Sequence, residues 1–278
     1  DIDFKIDFPN NIDHTSILNY LELSINESFS NHLLKEWGSG TKSLAIIAMY
    51  RAYALIEDKD IILGIEEPEI NLHPQAQMKF IQSLSQNMLE SEVQTIFTTH
   101  STVLIDELKH ENILLVKRKR DSNRGFISSI KQVPINFWDK YNIQESAHYN
   151  FFNLKNSEFF FAKHVVICES PIDAYAMETL IRPSIKNEIA DISFIALGGV
   201  TNLAYPYYLL KELSIPFSVI VDYDFFFDYK NDTNEDSRNK NGLPEYKSII
   251  TSNTTKRKII EDVFKKEIDK LEQVKGYR

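Results

Sequence analysis

Two adjacent carboxylates follow an apolar run that is typical of a central strand buried on both faces. Glu66 and Glu67 come directly after residues 61–65, and His100 lies just beyond a second apolar run at 93–98. Carboxylates in this position are costly unless a cation or a polarised water uses them. A solvated acidic turn would explain the two glutamates alone. A histidine at the same sheet edge instead favours a site that handles a metal ion and water.

The segments around these residues predict how they are positioned. Pro74 stands at the start of a segment with apolar residues at helical spacing, which predicts a strand, a helix and a second, parallel strand. Upstream, Gly38, Ser39 and Gly40 precede a helix rich in Ala and Leu. Backbone amides at such a helix start form an anion site.

Four further carboxylates suit a metal site. Glu169 ends an apolar run and Asp173 follows one helical turn later, while Asp222 and Asp224 follow the run at 217–221. A lone D-x-D is more often the start of an acidic surface loop. Here a strand and helix alternation from 165 to 221 predicts a parallel sheet whose strand ends meet at one edge. Oxygen ligands alone favour Mg²⁺ or Mn²⁺.

The first constellation resembles the ATPase heads of OLD, RecF and SMC-like proteins, over roughly residues 37–101. The resemblance is carried by four motifs in order: Gly38-Ser39-Gly40, Ile65-Glu66-Glu67-Pro68-Glu69, Asn71-Leu72-His73-Pro74 and Thr98-Thr99-His100-Ser101. It implies that Glu66 supports Mg²⁺, that Glu67 polarises the attacking water and that His100 senses the γ-phosphate. It also implies that Gly38, Ser39 and Gly40 cap ATP held by another subunit, in a head-to-head homodimer or higher oligomer.

The sequence contains no G-x-x-x-x-G-K-[ST] phosphate loop, since Gly40-Thr41-Lys42-Ser43 has a residue inserted before the lysine. We therefore expect a fragment that lacks its N-terminal Walker A half and does not hydrolyse ATP by itself.

The second constellation resembles the Toprim fold of topoisomerases, primases and OLD nucleases. The order is Glu169, then Gly198-Gly199, then Asp222 and Asp224, although Ser170 and Asp173 replace the Gly and Glu of the OLD pattern. The resemblance implies a metal held by the four carboxylates, with Glu169 alternatively acting as general base. Relatives often add a basic residue beyond the D-x-D, for which the candidates are Lys230, Lys240 and Lys247.

The predicted fold class is α/β. We predict the C-terminal part of an ABC-type ATPase domain at 1–133, a connector with one short helix at 134–160, and a Toprim domain at 161–278. The first of these ends in a hairpin at 113–133, and residues 248 onward are predicted to be an amphipathic helix. A basic run, Lys117 to Arg120, lies near the hairpin tip, where a solvated surface is favoured over contact with DNA.

Composition narrows the function classes. The chain has 278 residues with 43% apolar content, a net charge of -9 and a single cysteine, Cys168. It lacks a membrane-length apolar stretch, which favours a cytoplasmic protein.

The resemblance implies a DNA endonuclease regulated by ATP, in defence against phage as in Gabija-type relatives. Its implied partners are DNA, a second copy of itself and a helicase-type or other defence protein. The alternatives are a structural ATPase clamp on DNA whose Toprim domain is a scaffold, and a transporter ATPase.

Overall fold

The computed structural model describes residues 3–7, 22–27, 30–33, 38–56, 61–87, 93–122, 125–152, 156–185, 191–230, 238–242, 244–268 and 270–271. The chain divides into two compact units, Asp1–Glu107 and Leu108–Arg278. Among these residues, no helix combines the length and apolar character needed to cross a membrane.

The first unit contains the predicted strand, helix and strand. Three antiparallel strands come first in the chain: β1 (Asp3–Asp7), β2 (Glu22–Glu27) and β3 (Ser30–Leu33). Next come α1 (Ser39–Ile56), β4 (Ile61–Glu66), α2 (Pro74–Asn87), β5 (Val93–Thr98) and α3 (Thr102–Asp106). The strands β4 and β5 are parallel and pair Glu66 with Thr98, so the two predicted motifs end at one sheet edge.

One expectation for this sheet is wrong. The strand β4 was expected to be buried on both faces, yet Ile62 is 68% exposed and Ile96 of β5 is 52% exposed. The helix α2, which connects the two strands, has Phe80, Ile81 and Leu84 buried. Among the described residues this sheet has two strands, and the face that carries Ile62 and Ile96 is exposed.

The second unit begins with the predicted hairpin, β6 (Leu115–Asp121) and β7 (Gly125–Lys131). The pattern assigned this hairpin to the first domain, whereas its contacts place it in the second unit. The connector was predicted to hold one short helix, but it contains α4 (Phe137–Tyr141), α5 (Ser146–Phe152) and a 3₁₀ turn at Ser157–Phe161. Buried aromatic rings there give each short element a packing partner.

A parallel three-stranded sheet follows, as predicted. Its elements are β8 (His164–Cys168), α6 (Pro171–Ile185), β9 (Ile192–Ala196), α7 (Ala204–Glu212) and β10 (Phe217–Ile220), with β8 in the centre. Buried apolar residues fill β8 from Val165 to Cys168. The sheet therefore presents the carboxyl ends of all three strands at one edge.

The end of the second unit differs from the prediction. Residues 246–250 form β12 (Tyr246–Ile250), which pairs antiparallel with β11 (Phe227–Tyr229). The helix α8 (Thr254–Phe264) starts only after this strand, with Asn253 as its N-cap. The strand places α8 back beside the D-x-D segment, and Ile259 and Ile260 are buried.

A pair of buried histidines that the sequence did not predict lies between α5, α7 and the 3₁₀ turn at His110–Asn112. The Tyr205 hydroxyl is 2.8 Å from Nδ1 of His110 and 2.9 Å from Nδ1 of His148. One O–H holds one proton, so it donates to one imidazole and accepts from the other, which requires the accepting ring to be neutral. Burial lowers the pKa of His110 to about 4 and also lowers that of His148.

We expect the second unit to lose stability as the pH falls from about 6.5 towards 4. The folded pKa of His110 is depressed, so its contribution is fully present above the unfolded pKa and is lost as protons bind. Urea unfolding at pH 7 and 4.5, followed through Trp138 in a Trp37→Phe background, measures this. His110→Phe should lose less stability over this range than the parent, by roughly 2 kcal/mol. Parallel losses in both proteins would contradict it.

Candidate catalytic sites at two sheet edges

The ATPase motif turns sharply at Glu67. This residue has a φ of 42°, in the left-handed region that side-chain-bearing residues seldom adopt. Its amide donates to the Thr98 carbonyl at 3.0 Å, which fixes the turn against the end of β5. The strand β4 therefore ends at Glu66, and Glu67 begins the turn that follows it.

His100 and Glu67 face each other, as predicted for neighbours at one edge. The His100 Nε2 atom lies 3.6 Å from Glu67 Oε1, and both side chains are open to solvent. Glu69, which the sequence motif contained without a role, supports this arrangement. Its Oε1 accepts from the Thr99 hydroxyl at 2.8 Å and from the His100 amide at 2.7 Å. Its buried Oε2 has no hydrogen-bond partner among the described residues.

The predicted anion loop contacts the segment that follows Glu69. A Cβ built on Gly40 would lie 2.6 Å from the Asn71 carbonyl oxygen and 2.8 Å from the Leu72 side chain. Gly38 has open space around it, and Ser39 begins α1 and is exposed. Gly40 is therefore required for packing within this unit, whereas Gly38 and Ser39 remain available to a ligand.

We expect Gly40→Ala to lower the melting temperature of the protein, because the new methyl group collides with backbone rather than with a side chain that can move. Gly38→Ala is the matched control, since its methyl group meets nothing within 4 Å. Thermal unfolding of the two variants compares them. Equal melting temperatures would show that α1 and the 71–72 segment are not packed as described.

The second site is centred on Glu169, directly after β8. Burial raises the pKa of this carboxyl group, and the charges of Asp224 and Asp222 raise it further. The Asp222 amide, 3.4 Å from Glu169 Oε2, and the Lys256 ammonium lower it. The loop after β10, which carries Asp222 and Asp224, and the helix α8, which carries Lys256, therefore both influence the Glu169 carboxylate.

The D-x-D segment departs from the predicted geometry. The two aspartates were expected to share one side of an extended chain, but Asp222 precedes a 3₁₀ turn at Tyr223–Phe225 that contains Asp224. Asp222 is exposed, whereas Asp224 Oδ1 is buried and has no hydrogen-bond partner among the described residues. The turn arises because Phe225 is buried and the chain must bend to place it in the core.

Asp173 is engaged locally. Its Oδ2 accepts from the Ser170 amide at 3.1 Å and from the Ser170 hydroxyl at 2.6 Å, which closes the first turn of α6. Ser170 in place of the glycine of the OLD pattern provides that hydroxyl. Gly199, with a φ of 124°, brings its amide to 3.2 Å from the Glu169 carbonyl, so the predicted glycine pair does approach the site.

A basic residue that sequence reasoning missed lies beside the D-x-D. Lys256 Nζ is 3.4 Å from the Asp224 carbonyl and 5.7 Å from the centre of the Phe225 ring. Of the predicted candidates, Lys230 pairs with Glu245 at 3.0 Å, Lys247 acts on Asp228, and Lys240 is exposed in a turn. The strand β12 explains the miss, since it returns the chain to the site only after a long polar segment.

Asp228 holds the segment that carries Lys256. Its carboxylate accepts from the Thr251 hydroxyl at 2.8 Å and from the amide and hydroxyl of Ser252 at 2.9 and 2.8 Å. Despite partial burial, these hydrogen bonds lower the pKa of Asp228. Asn253 then caps α8 by accepting from the amides of Thr255 and Lys256.

The arrangement fits a divalent cation without forming a complete cage. Within the described ranges, no three His, Cys, Asp or Glu side chains are grouped as a ready metal site, so the four predicted ligands do not converge fully in this conformation. The unpartnered Asp224 oxygen and the crowded Glu169 carboxylate are the groups that an oxygen-seeking cation would satisfy. The four-ligand set therefore stays a prediction.

Comparison with known proteins matches both units. Residues 4–105 match the AAA ATPase domain family, and residues 160–224 match the Overcoming lysogenization defect protein-like TOPRIM domain. A protein of Thermus scotoductus (strain ATCC 700910 / SA-01), named OLD nuclease, is 28% identical over 213 residues, which is 76% of this chain and 40% of the relative's length.

One solved structure also shows a likeness. It comes from work titled "Structural biochemistry of ATP-driven dimerization and DNA stimulated activation of SMC ATPases" and is 12% identical, with a TM-score of 0.36, covering 50% of this chain and 78% of its own. A likeness at this level supports no argument about function.

Proposed function

We propose that this chain, whose residues 4–105 match the AAA ATPase domain family and whose residues 160–224 match the Overcoming lysogenization defect protein-like TOPRIM domain, is part of a divalent-metal-dependent DNA endonuclease regulated by its ATPase head. One observation carries the proposal: Glu169 lies at the Toprim strand edge between the charges of Asp222 and Asp224, and one Asp224 oxygen is buried without a partner. A compensating cation would relieve the repulsion in such a carboxylate cluster.

Glu169, Asp222 and Asp224 would hold Mg²⁺ or Mn²⁺, with Asp173 available once its bond to Ser170 opens. When bound, the ion lowers the pKa of water and stabilises the leaving oxygen of a phosphodiester. Glu169, whose pKa is raised by burial, is the alternative candidate for the general base. Lys256 adds a positive charge at the same edge, where it offsets the charge of a scissile phosphate.

The ATPase residues support regulation. In this proposal Glu67 would polarise water, His100 would contact a phosphate and Glu66 would support the metal, which the 3.6 Å approach of His100 Nε2 to Glu67 Oε1 supports. Gly38, Ser39 and Gly40 would form an anion site at the start of α1. The resemblance to ABC-type heads supports ATP binding across a homodimer. The likeness to Gabija-type proteins supports a cytoplasmic role in defence against phage, with DNA and a helicase-type or other defence protein as partners.

We expect Asp224→Asn in the full-length protein to reduce Mn²⁺-dependent plasmid nicking by at least about 100-fold, because it removes a ligand oxygen and its charge. Asp191→Asn is the control. That exposed carboxylate pairs with Lys163 and lies at the amino end of β9, away from the strand ends that carry the site. In EDTA, Asp224→Asn should melt at the same or a higher temperature because repulsion with Glu169 is relieved. Undiminished nicking would refute the metal site, and gross unfolding would show that Asp224 is structural.

We also expect Asp228→Ala to slow nicking through Lys256. Removing the carboxylate releases Thr251 and Ser252 and loosens the first turn of α8. A double-mutant cycle measures the coupling: once Lys256→Ala is present, adding Asp228→Ala should have little further effect on the rate. Asp262→Ala, which removes the bond to Lys211 farther along α8, is the control for general loosening of the helix. Additive losses from Asp228 and Lys256 would contradict the positioning role.

A further inference from the structure

The hairpin β6–β7 has two chemically different faces. Residues alternate between faces along each strand, and the pairs Val116 with Ile130, Arg118 with Ser128 and Arg120 with Phe126 share one face. We call this the outer face, and all six of its residues are exposed. The inner face carries Lys117 and Lys119, and Lys117 is half-buried.

The outer face combines positive charge with an exposed ring. The Arg118 guanidinium lies over the Phe126 ring at 3.9 Å from its centre, and Phe126 is 60% exposed. None of the four cations from Lys117 to Arg120 forms an ion pair with a carboxylate in the described part of the chain. Surface cations usually find acidic neighbours in a chain with a net charge of -9. Within the described residues, the positive charge of this ribbon is therefore not paired with carboxylates.

We propose that the outer face of the β6–β7 ribbon is a contact surface for the phosphate backbone of duplex DNA. The inference rests on the proposed nuclease function and adds to it the surface that holds the substrate. A chain that is acidic overall repels DNA, so attraction must come from a local basic surface. A two-stranded ribbon is narrow enough to enter a major groove of about 12 Å, and its outer arginines can reach the phosphates beside it.

Arginine also distinguishes the outer face from the inner one. A guanidinium makes two parallel hydrogen bonds to a phosphate, and its position over Phe126 holds it extended before DNA arrives. At the other end of the same face, Val116 and Ile130 form an exposed apolar pair suited to sugar rings or to a protein surface. The charged end selects a polyanion, so the proposal commits to DNA.

The test uses the full-length protein in EDTA, where cleavage is absent. Binding to a mixed-sequence duplex of about 30 base pairs is measured by fluorescence anisotropy over a range of KCl concentrations. The pair Arg118→Ala and Arg120→Ala should reduce the slope of log K against log salt by about 2, one for each phosphate contact. The pair Lys117→Ala and Lys119→Ala changes the net charge equally and should reduce the slope less. Arg118→Lys with Arg120→Lys keeps both positive charges and should restore the slope. Phe126→Ala should weaken binding but leave the slope unchanged.

Equal slope changes in the two alanine pairs would overturn the proposal, because bulk charge rather than the outer face would then matter. An unchanged slope in the arginine pair would overturn it as well. If that pair lost self-association while DNA binding was unchanged, the face would be assigned to a second copy of the chain. Mn²⁺-dependent nicking separates the two claims. If the wild-type protein nicks DNA but the arginine pair leaves the slope unchanged, only this inference fails. If the arginine pair reduces the slope but the wild-type protein does not nick DNA, only the endonuclease proposal fails.

Discussion

The carboxylate of Glu169 is held partly out of water beside two other negative charges, and the second unit is built around keeping it there. The central strand β8 delivers Glu169 to the sheet edge, β10 and the following 3₁₀ turn deliver Asp222 and Asp224, and Gly199 closes the loop beside them. Burial raises the pKa of Glu169, and repulsion from Asp224 and Asp222 raises it further. The fold tolerates this cost because the buried strand and the Phe225 core contact fix the backbone independently of the charges.

The first unit also holds carboxylates at the edge of a parallel sheet. Parallel strands β4 and β5 end together, so the turn after one strand and the turn after the other must share space. Glu67 adopts a left-handed backbone, and Glu69 binds the opposite turn through Thr99 and His100. In both units, then, the candidate catalytic side chains lie in loops, and another carboxylate fixes a neighbouring loop by hydrogen bonds: Glu69 in one unit and Asp228 in the other.

Much of this was predictable from sequence where apolar runs set the structure. The bounds of β5 follow from a run rich in β-branched and apolar residues, and the start of α2 follows from Pro74 at its first turn. Sequence reasoning failed where long-range packing decided the outcome. Residues 248 onward were predicted to be an amphipathic helix, but residues 246–250 pair with β11, and this pairing returns the chain to the site where Lys256 reaches Asp224. The bend at Asp222 to Asp224 depends on burial of Phe225, and the His110, His148 and Tyr205 cluster joins residues far apart in the chain.

The central claim is that Glu169, Asp222 and Asp224 together hold a divalent cation. Anomalous diffraction from crystals of the full-length protein grown with Mn²⁺ tests it directly. The account predicts an anomalous peak within about 2.5 Å of oxygens from Glu169 and at least one of the two aspartates, with Asp224 Oδ1 turned towards it. A Mn²⁺ peak bound elsewhere, with these three carboxylates unchanged and Asp224 Oδ1 still unpartnered, would contradict it.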